Sequence, residues 1–185
     1  MLCLKEFSTD VLEKEYQFIR DMPLDENGIT NRWHGISWEH FKKHALHEIL
    51  SFACGQNLPE GYVPQTFYFL WKQDEIVGQF RIRHYLNESL RTGAGHIGYF
   101  IKKEFRGNGY AKEGLRQALQ IASVIIPENE IYLRVNKDNP SSLHVMLANG
   151  GQVEREDASR YYVRIPKPAK PEQLIGQKPA ASQSR

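Results

Sequence analysis

The stretch that decides the fold is Gly95–Ala111, GHIGYFIKKEFRGNGYA. An apolar run typical of a β-strand leads into a glycine-rich turn, and the turn opens directly into an amphipathic helix from Tyr110. The first turn of a helix carries unpaired N–H groups and the positive end of the helix dipole. Gly107 and Gly109 permit positive φ and a close approach to the backbone, and Arg106 adds a forked cationic donor. The pattern predicts an anion-binding site, suited to a phosphate.

The spacing of this turn argues against two common nucleotide sites. It is not the GxxxxGK[ST] of a nucleoside-triphosphate loop, nor the GxGxxG that follows the first strand of a dinucleotide-binding unit. A plain strand-to-helix connection with capping glycines is the alternative without a ligand. Arg106-x-x-Gly109-x-Ala111 instead resembles the R/Q-x-x-G-x-G/A signature of the GNAT N-acetyltransferase superfamily. In that family the turn cradles the pyrophosphate of coenzyme A.

The composition is that of one ordinary globular domain. The chain has 185 residues, of which 41% are hydrophobic and 25% charged, with a net charge of +2. It has no extended basic stripe, so we expect no nucleic-acid partner, and no apolar run long enough for a membrane partner. Without a signal-peptide pattern, the expected location is cytoplasmic. The two cysteines have neither metal-like spacing nor a disulfide pattern, and Cys54 is expected in the core.

The order of predicted elements is β-α-α-β-β-β-α-β-α-β-β, which is the order of the GNAT fold. The expected class is therefore α/β (α+β), with a mixed central sheet of six to seven strands, splayed fourth and fifth strands, and about four helices. Helix starts are predicted at the capping residues Ser8, Ser37 and Asn139, the last followed by Pro140. The strands are expected at 2–7, 66–71, 76–85, 96–102, 130–135, 153–155 and 161–165. The predicted domain covers 1–166, and the proline-rich segment 167–185 is expected to be a disordered tail.

The resemblance extends beyond the turn. It covers roughly residues 8 to 165 in element order and is closer to a branch of GNAT proteins usually described as predicted acetyltransferases, without an assigned substrate. The segments that carry it are Tyr62-Val63-Pro64, Ile76-Val77-Gly78, residues 81–87, residues 95–99, residues 106–111, Asn139, Ser142, Asn149-Gly150-Gly151 and Arg160-Tyr161-Tyr162. The resemblance implies acetyl-CoA as the donor and leaves the acceptor open.

The resemblance also implies the residues that contact the cofactor. In GNAT folds the pantetheine arm lies between the splayed strands and pairs with the backbone of the fourth strand, much as an added β-strand would. A backbone N–H near Phe100 or Ile101 is a candidate to stabilise the oxyanion. The implied cofactor-binding residues are Tyr99, Phe100, Ile101, Arg106, Gly107, Asn108, Gly109, Tyr110, Ala111, Asn139 and Ser142.

Two positions depart from the better-known catalytic pattern of the family. The helix position that often holds a proton-donating tyrosine is Met146, and the fifth-strand position that often holds a glutamate is Arg134. Neither side chain can replace the usual group, because a thioether has no proton to donate and a guanidinium does not act as a base. Proton transfer must then involve other residues.

Three replacements are predicted. His96, at the start of the fourth strand, is the first choice as base, directly or through water, with a structural histidine as an equal alternative. Glu88 follows the exit of the third strand and is a candidate to bind an ammonium or act as base, with a solvated loop carboxylate as its alternative. Tyr161 lies on the closing strand beside Tyr162, and strand alternation allows at most one of the two to reach the thioester.

Two further groups of side chains, a pair of arginines and a set of histidines, are candidates to bind an acceptor or a metal ion. Arg81 and Arg83 share a strand face and are candidates to bind an acceptor carboxylate, unless they form ion pairs. His40, His44 and His47 share a helix face, but HxxxH lacks the HExxH glutamate and no further ligand completes a zinc site, so no metal is expected. We expect that helix face to lie beside the acceptor cleft.

The predicted function is transfer of the acetyl group of acetyl-CoA to a primary amine of a small-molecule or amino-acid-like acceptor, by direct attack in a ternary complex. Two alternatives stay open: a CoA-binding module without catalysis, suggested by Met146 and Arg134, and acetylation of a protein or peptide amine. A homodimer through the closing strands is implied by the resemblance only.

Overall fold

The computed structural model describes residues 1–168, and two sheets separated by a gap form the centre of the fold. One sheet has the order β1-β4-β5-β6, the other β7-β9-β8, and β2 pairs with β3 in a small hairpin. Every pairing within these sheets is antiparallel. The strands are β1 (Leu2–Glu6), β2 (Asp25–Glu26), β3 (Ile29–Thr30), β4 (Gln65–Lys72), β5 (Glu75–Arg83), β6 (Ile97–Ile101), β7 (Glu130–Asn136), β8 (Gln152–Glu156) and β9 (Arg160–Pro166).

Helices cover both faces of the four-stranded sheet, which explains why β4 and most of β5 are buried on both sides. One core cluster packs α5 and α6 against the sheets, and the other packs α1 and the segment 38–53 against the opposite face. The helices are α1 (Leu12–Asp21), α2 (Trp38–His40), α3 (Leu46–Ala53), α4 (Glu88–Thr92), α5 (Tyr110–Ile125) and α6 (Pro140–Leu147).

The three predicted capping side chains all make the expected hydrogen bond: Ser37 and Asn139 cap α2 and α6, whereas Ser8 caps a 3-10 turn, Thr9–Val11, that leads into α1. The Ser8 hydroxyl accepts from the Asp10 N–H, the Ser37 hydroxyl from the His40 N–H, and the Asn139 amide oxygen from the Ser142 N–H. Each capping side chain satisfies one of the N–H groups that a helix N-terminus leaves without an intrahelical acceptor. The seven strands in the predicted GNAT order and their helices are confirmed. The expected single mixed sheet is instead two antiparallel sheets among residues 1–168, because the one parallel neighbour pair of the prediction, β6 and β7, is splayed apart.

Three elements go beyond the prediction. The link 23–31 folds into the β2–β3 hairpin, in which Asn27 and Gly28 both adopt positive φ, as the two central residues of a type I′ turn require. The loop 87–95 contains α4, which Asn87 caps. A π-helical segment, Phe41–Ala45, separates α2 from α3.

Two further expectations concern Cys54 and the C-terminal segment. Cys54 is exposed, because it lies at the C-terminal end of α3 and not on its buried face, so its expected place in the core is wrong. The predicted disordered tail falls mostly on residues 169–185, which lie outside the described residues. Among residues 1–168, no helix combines the length and apolar character needed to cross a membrane.

Candidate active site

The gap between β6 and β7 is closed at one end by a joint formed by His96, Tyr132 and Glu128. The His96 N–H donates to the Tyr132 carbonyl at 2.7 Å, beside an isolated bridge between Gly95 and Leu133. Beyond this joint the two strands pair with each other nowhere in the part of the chain that the structure describes. A cleft of about 810 Å³ occupies the space between them.

The His96 side chain completes the joint. It is 0% exposed, its Nδ1 accepts from the Tyr132 N–H at 2.9 Å, and its Nε2 lies 3.2 Å from Glu128 Oε2. A ring that accepts at Nδ1 carries its proton on Nε2 and is neutral. Burial lowers the pKa of His96 and so favours this neutral form, despite the neighbouring Glu128 carboxylate. The imidazole thus replaces a backbone acceptor where the two sheets meet.

At the opposite end, the cleft opens onto the glycine turn. Gly107 and Gly109 have φ of 80° and 75°, and a Cβ at either position would meet no atom within 4 Å. No side chain of residues 1–168 caps α5, whose first backbone bond runs from the Glu113 N–H to the Gly109 carbonyl. The N–H groups of residues 110–112 therefore have no intrahelical acceptor. Asn108 folds back onto the turn, donating to the carbonyls of Phe105 and Arg106 at 3.2 and 3.1 Å.

Arg106 connects this turn to the β2–β3 hairpin. Its Nε donates to the Ile101 carbonyl at 2.9 Å, and its Nη1 donates to Glu26 Oε1 at 2.6 Å. The guanidinium holds the pKa of the Glu26 carboxyl below its ordinary value. The hairpin also contributes Asn27, Gly28 and Ile29 to the cleft, so it forms part of the wall that faces the turn.

Tyr99, Ser142 and Asn139 form a hydrogen-bonded group that spans the gap. The Tyr99 hydroxyl lies 2.7 Å from Ser142 Oγ and 3.2 Å from the Ser142 carbonyl, and Asn139 caps the same helix. Burial raises the pKa of Tyr99 to about 12, so the phenol stays protonated at neutral pH. These three predicted cofactor residues therefore tie β6 to the start of α6 and line the cleft together.

The backbone of β6 distinguishes among the predicted strand contacts. The Arg83 N–H donates to the His96 carbonyl and the Lys102 N–H to the Val77 carbonyl, so within β6 the backbone groups of the even-numbered residues, Gly98 and Phe100, face β5. Backbone groups alternate along a strand, and those of Tyr99 and Ile101 therefore face the gap. Phe100 lines the cleft but directs its amide towards Gln79 of β5. Tyr99 and Ile101 are thus better placed than Phe100 for backbone contacts.

The predicted acceptor-binding residues lie near the joint. Arg81 and Arg83 line the cleft, as does Arg134 of β7. The Arg83 Nη1 donates to the Gly95 carbonyl at 2.9 Å and so braces the chain just before the joint. Arg81 also lines a smaller side cavity of about 270 Å³, together with Gly98 and Tyr99.

The three predicted proton-transfer residues are not among the described residues that line the cleft, and their placement does not support such a role. His96 is enclosed in the joint and has no free nitrogen. Glu88 is exposed at the first position of α4, because Asn87 draws the loop into a helix. Tyr161 packs against the core beside Lys137, while Tyr162 donates to Asp157 at 2.6 Å on the other face of β9. The histidines 40, 44 and 47 also lie away from the cleft lining.

The family of the chain follows from a comparison with family models. The acetyltransferase (GNAT) domain matches residues 12–152, which is more than half of the chain. The chain belongs to the GNAT acetyltransferase family. As a member it is an acetyl-CoA-dependent N-acetyltransferase, and acetyl-CoA is its donor. No curated protein matches the chain.

Solved structures of GNAT proteins share this fold. RimL, a ribosomal alpha-N-protein acetyltransferase with coenzyme A, superposes with a TM-score of 0.62 at 19% identity, covering 90% of this chain and 94% of that chain. Campylobacter jejuni N-acetyltransferase PseH with acetyl coenzyme A gives 0.57 at 17% identity, covering 91% and 100%. Vibrio cholerae spermidine N-acetyltransferase with CoA and spermine gives 0.56 at 16% identity, covering 90% and 95%.

The cleft fits such a donor. Its open end presents uncapped N–H groups beside glycines with space above them, as a diphosphate requires. The facing edges of β6 and β7, which pair with no other strand of residues 1–168, offer backbone partners for an extended amide chain. Three residues of the site carry no motif by which the sequence alone would reveal them: Glu26 and the exposed His144, which line the cleft, and Glu128 of the joint. Only the Asn27-Gly28 turn signalled that the segment around Glu26 is structured.

Proposed function

We propose that this acetyltransferase transfers the acetyl group to a primary amine of a small-molecule or amino-acid-like acceptor, by direct attack in a ternary complex. The observation that carries the proposal is the shape of the cleft, which runs from the glycine turn to the arginines beside the joint. The β6 residues from Gly98 to Ile101 lie along the cleft between its two ends, and the cleft has a volume of about 810 Å³, within the range of small-molecule sites. One cavity therefore has room for both reactants.

The turn and the strand edges would position the donor. We assign diphosphate binding to the N–H groups of residues 107–111 and to Arg106, once its Nη1 exchanges Glu26 for phosphate oxygen. Tyr99 and Ile101 would pair with the extended amide chain, while Asn139 and Ser142 hold the other wall. When bound, the donor supplies an electrophilic thioester carbonyl.

The charge of the cleft would assist the reaction. The guanidinium groups of Arg81 and Arg134 favour the neutral, nucleophilic form of a bound amine over its ammonium form, because like charges repel. The same positive field stabilises negative charge that develops on the carbonyl oxygen. This arrangement suits a chain whose usual proton-transfer positions hold Met146 and Arg134.

Titration calorimetry with acetyl-CoA tests the donor site. We expect micromolar binding by the wild type and a loss of about a hundredfold or more in Gly109→Glu, whose carboxylate would occupy the diphosphate position. Gly150→Glu is the matched control, because Gly150 also has positive φ, at 83°, and open space around it but lies outside the cleft lining. Equal binding by both variants would contradict the assignment.

Thiol release in the presence of amines then tests the transfer. Small amines should be acetylated by the wild type and the control, and not by Gly109→Glu. Turnover restricted to peptide or protein amines would favour a macromolecular acceptor instead. Failure of the wild type to bind acetyl-CoA would overturn the proposed function altogether.

A further inference from the structure

Three arginines cluster at the closed end of the cleft. Arg81 lies opposite Gly98 in the β5–β6 pairing, and Arg83 lies two residues further along the same face of β5. Arg134 follows Leu133, the residue that bridges to Gly95 at the joint. All three line the cleft where the acceptor amine would meet the donor.

Arg81 and Arg134 form no ion pair within the described residues, and the nearest carboxylate to act on Arg134, that of Asp157, does not contact it. Neither side chain makes an ion pair or donates a hydrogen bond there, whereas Arg83 donates to the Gly95 carbonyl. The Nε of Arg81 is buried and has no partner among residues 1–168. An unsatisfied, buried guanidinium nitrogen is costly, so a ligand that accepts from it would be favoured.

The arginines also repel one another. Burial lowers the pKa of Arg81 and Arg134, and burial together with these two neighbours lowers the pKa of Arg83 to about 9. An anion placed among them would remove this electrostatic penalty. Of the described residues that line the cleft and the side cavity, Glu26 is the one carboxylate, and it is bound to Arg106 at the far end.

We propose that Arg81 and Arg134, with Arg83 behind them, bind an oxyanion of the acceptor, so that the natural acceptor is an amine that carries a carboxylate or a phosphate. Guanidinium groups match both oxyanions by forked hydrogen bonds. A polyamine would instead bring further positive charge to three arginines without a carboxylate to receive it. The inference rests on the proposed function and narrows its substrate class.

Matched pairs of amines test the inference. Each amino acid is compared with its carboxamide, and each amino-sugar phosphate with the free amino sugar, with spermidine as the cationic reference. Thiol release from acetyl-CoA gives kcat/KM for every compound. We expect the anionic member of a reactive pair to be favoured by about 10- to 100-fold, the range of charge-assisted hydrogen bonds. Reaction of the amino acids would show that the acceptor carries a carboxylate, and reaction of the amino-sugar phosphates would show that it carries a phosphate.

Arg81→Gln is the diagnostic variant. It should lower the preference for the anionic member of the reactive pair, taken as the ratio of the two kcat/KM values, by about 10- to 100-fold, and keep acetyl-CoA binding by calorimetry. Arg116→Gln is the matched control, since Arg116 is exposed on α5, pairs with Glu113 and lies outside the cleft lining. Arg134→Gln provides the same readout if Arg81→Gln does not fold.

Each outcome separates the two proposals. Neutral amines or spermidine acetylated as efficiently as anionic amines would overturn this inference and leave the proposed function intact. Retention of the anionic preference in both Arg81→Gln and Arg134→Gln would overturn it as well. If acetyl-CoA binds but no small amine reacts, a macromolecular acceptor replaces the small anionic amine. If the wild type does not bind acetyl-CoA, both proposals fail together.

Discussion

His96→Ala should weaken the joint between the two sheets. The substitution leaves the Tyr132 N–H buried without an acceptor, which costs about 1–3 kcal/mol, and empties the space of a fully buried ring, which costs about 2 kcal/mol more. The free energy of unfolding should therefore fall by about 3–5 kcal/mol. In a chain of 185 residues this lowers Tm by about 10 °C.

His96→Asn is the matched variant. Its side-chain oxygen lies as many bonds from Cα as Nδ1 does, so it can still accept from the Tyr132 N–H. The contact with Glu128 and the outer part of the buried ring are lost, at a cost of about 1–2 kcal/mol. Urea unfolding followed by circular dichroism measures all three proteins, and thiol release measures their kcat.

The pH dependence of the free energy of unfolding provides a second test of the role of His96. Burial lowers the pKa of His96 in the folded state below the 6.5 of the unfolded chain, so the unfolded state binds more protons between the two values. The stabilisation by His96 is complete above pH 6.5 and is lost as the pH falls through the folded pKa. The stability difference between the wild type and His96→Asn should therefore shrink on acidification.

Two results would refute this account of His96. One is a His96→Ala variant as stable as the wild type. The other is a His96→Asn variant that keeps its Tm but loses a hundredfold or more in kcat, since that is the effect expected from removal of a general base.

Two further predictions concern buried and paired carboxylates. Glu15 on α1 is 0% exposed. One of its carboxyl oxygens accepts from the Ser8 N–H, and the other has no partner among the described residues. Burial raises the pKa of Glu15 to about 8. Because the ionised form is disfavoured in the folded state, stability is lost as the pH rises from 4.5 through 8. Urea unfolding should find Glu15→Gln more stable than the wild type by about 4 kcal/mol at pH 8 but not at pH 4. An equal difference at both pH values would contradict this. Glu26→Gln should strengthen acetyl-CoA binding about threefold in calorimetry, because Arg106 then no longer has to break an ion pair with a carboxylate before it binds the diphosphate. The gain should shrink at high salt, which screens that ion pair. Weaker binding would contradict this and show that Glu26 orients Arg106.

The parts of the site that the sequence predicts well depend on local chemistry. Gly107 and Gly109 adopt the positive φ that only glycine enters freely, and the uncapped start of α5 follows directly from them. Asn139 and Pro140 begin α6 for equally local reasons. These features depend on neighbours within a few residues, so a single sequence is sufficient to place them.

The parts that the sequence predicts poorly depend on contacts between distant residues. His96 meets Glu128 and Tyr132, which lie 32 and 36 positions away, and only these contacts show that its ring is enclosed. The β2–β3 hairpin has strands of two residues, too short for any alternation to appear. The position of Glu88 depends on α4, whose Leu90 packs against Leu86 and the tyrosines 132 and 162.

The place of His96 along β6 also fixes how deep the cleft is. If the joint formed one residue later, the closed end would move by about 3.3 Å towards the glycine turn. A donor anchored by its diphosphate would then present its carbonyl beyond the reach of an acceptor held by Arg81. Under the proposed function, catalytic alignment would therefore depend on the register at which the two sheets stop pairing, and variants of the joint should alter the preferred length of the acyl chain.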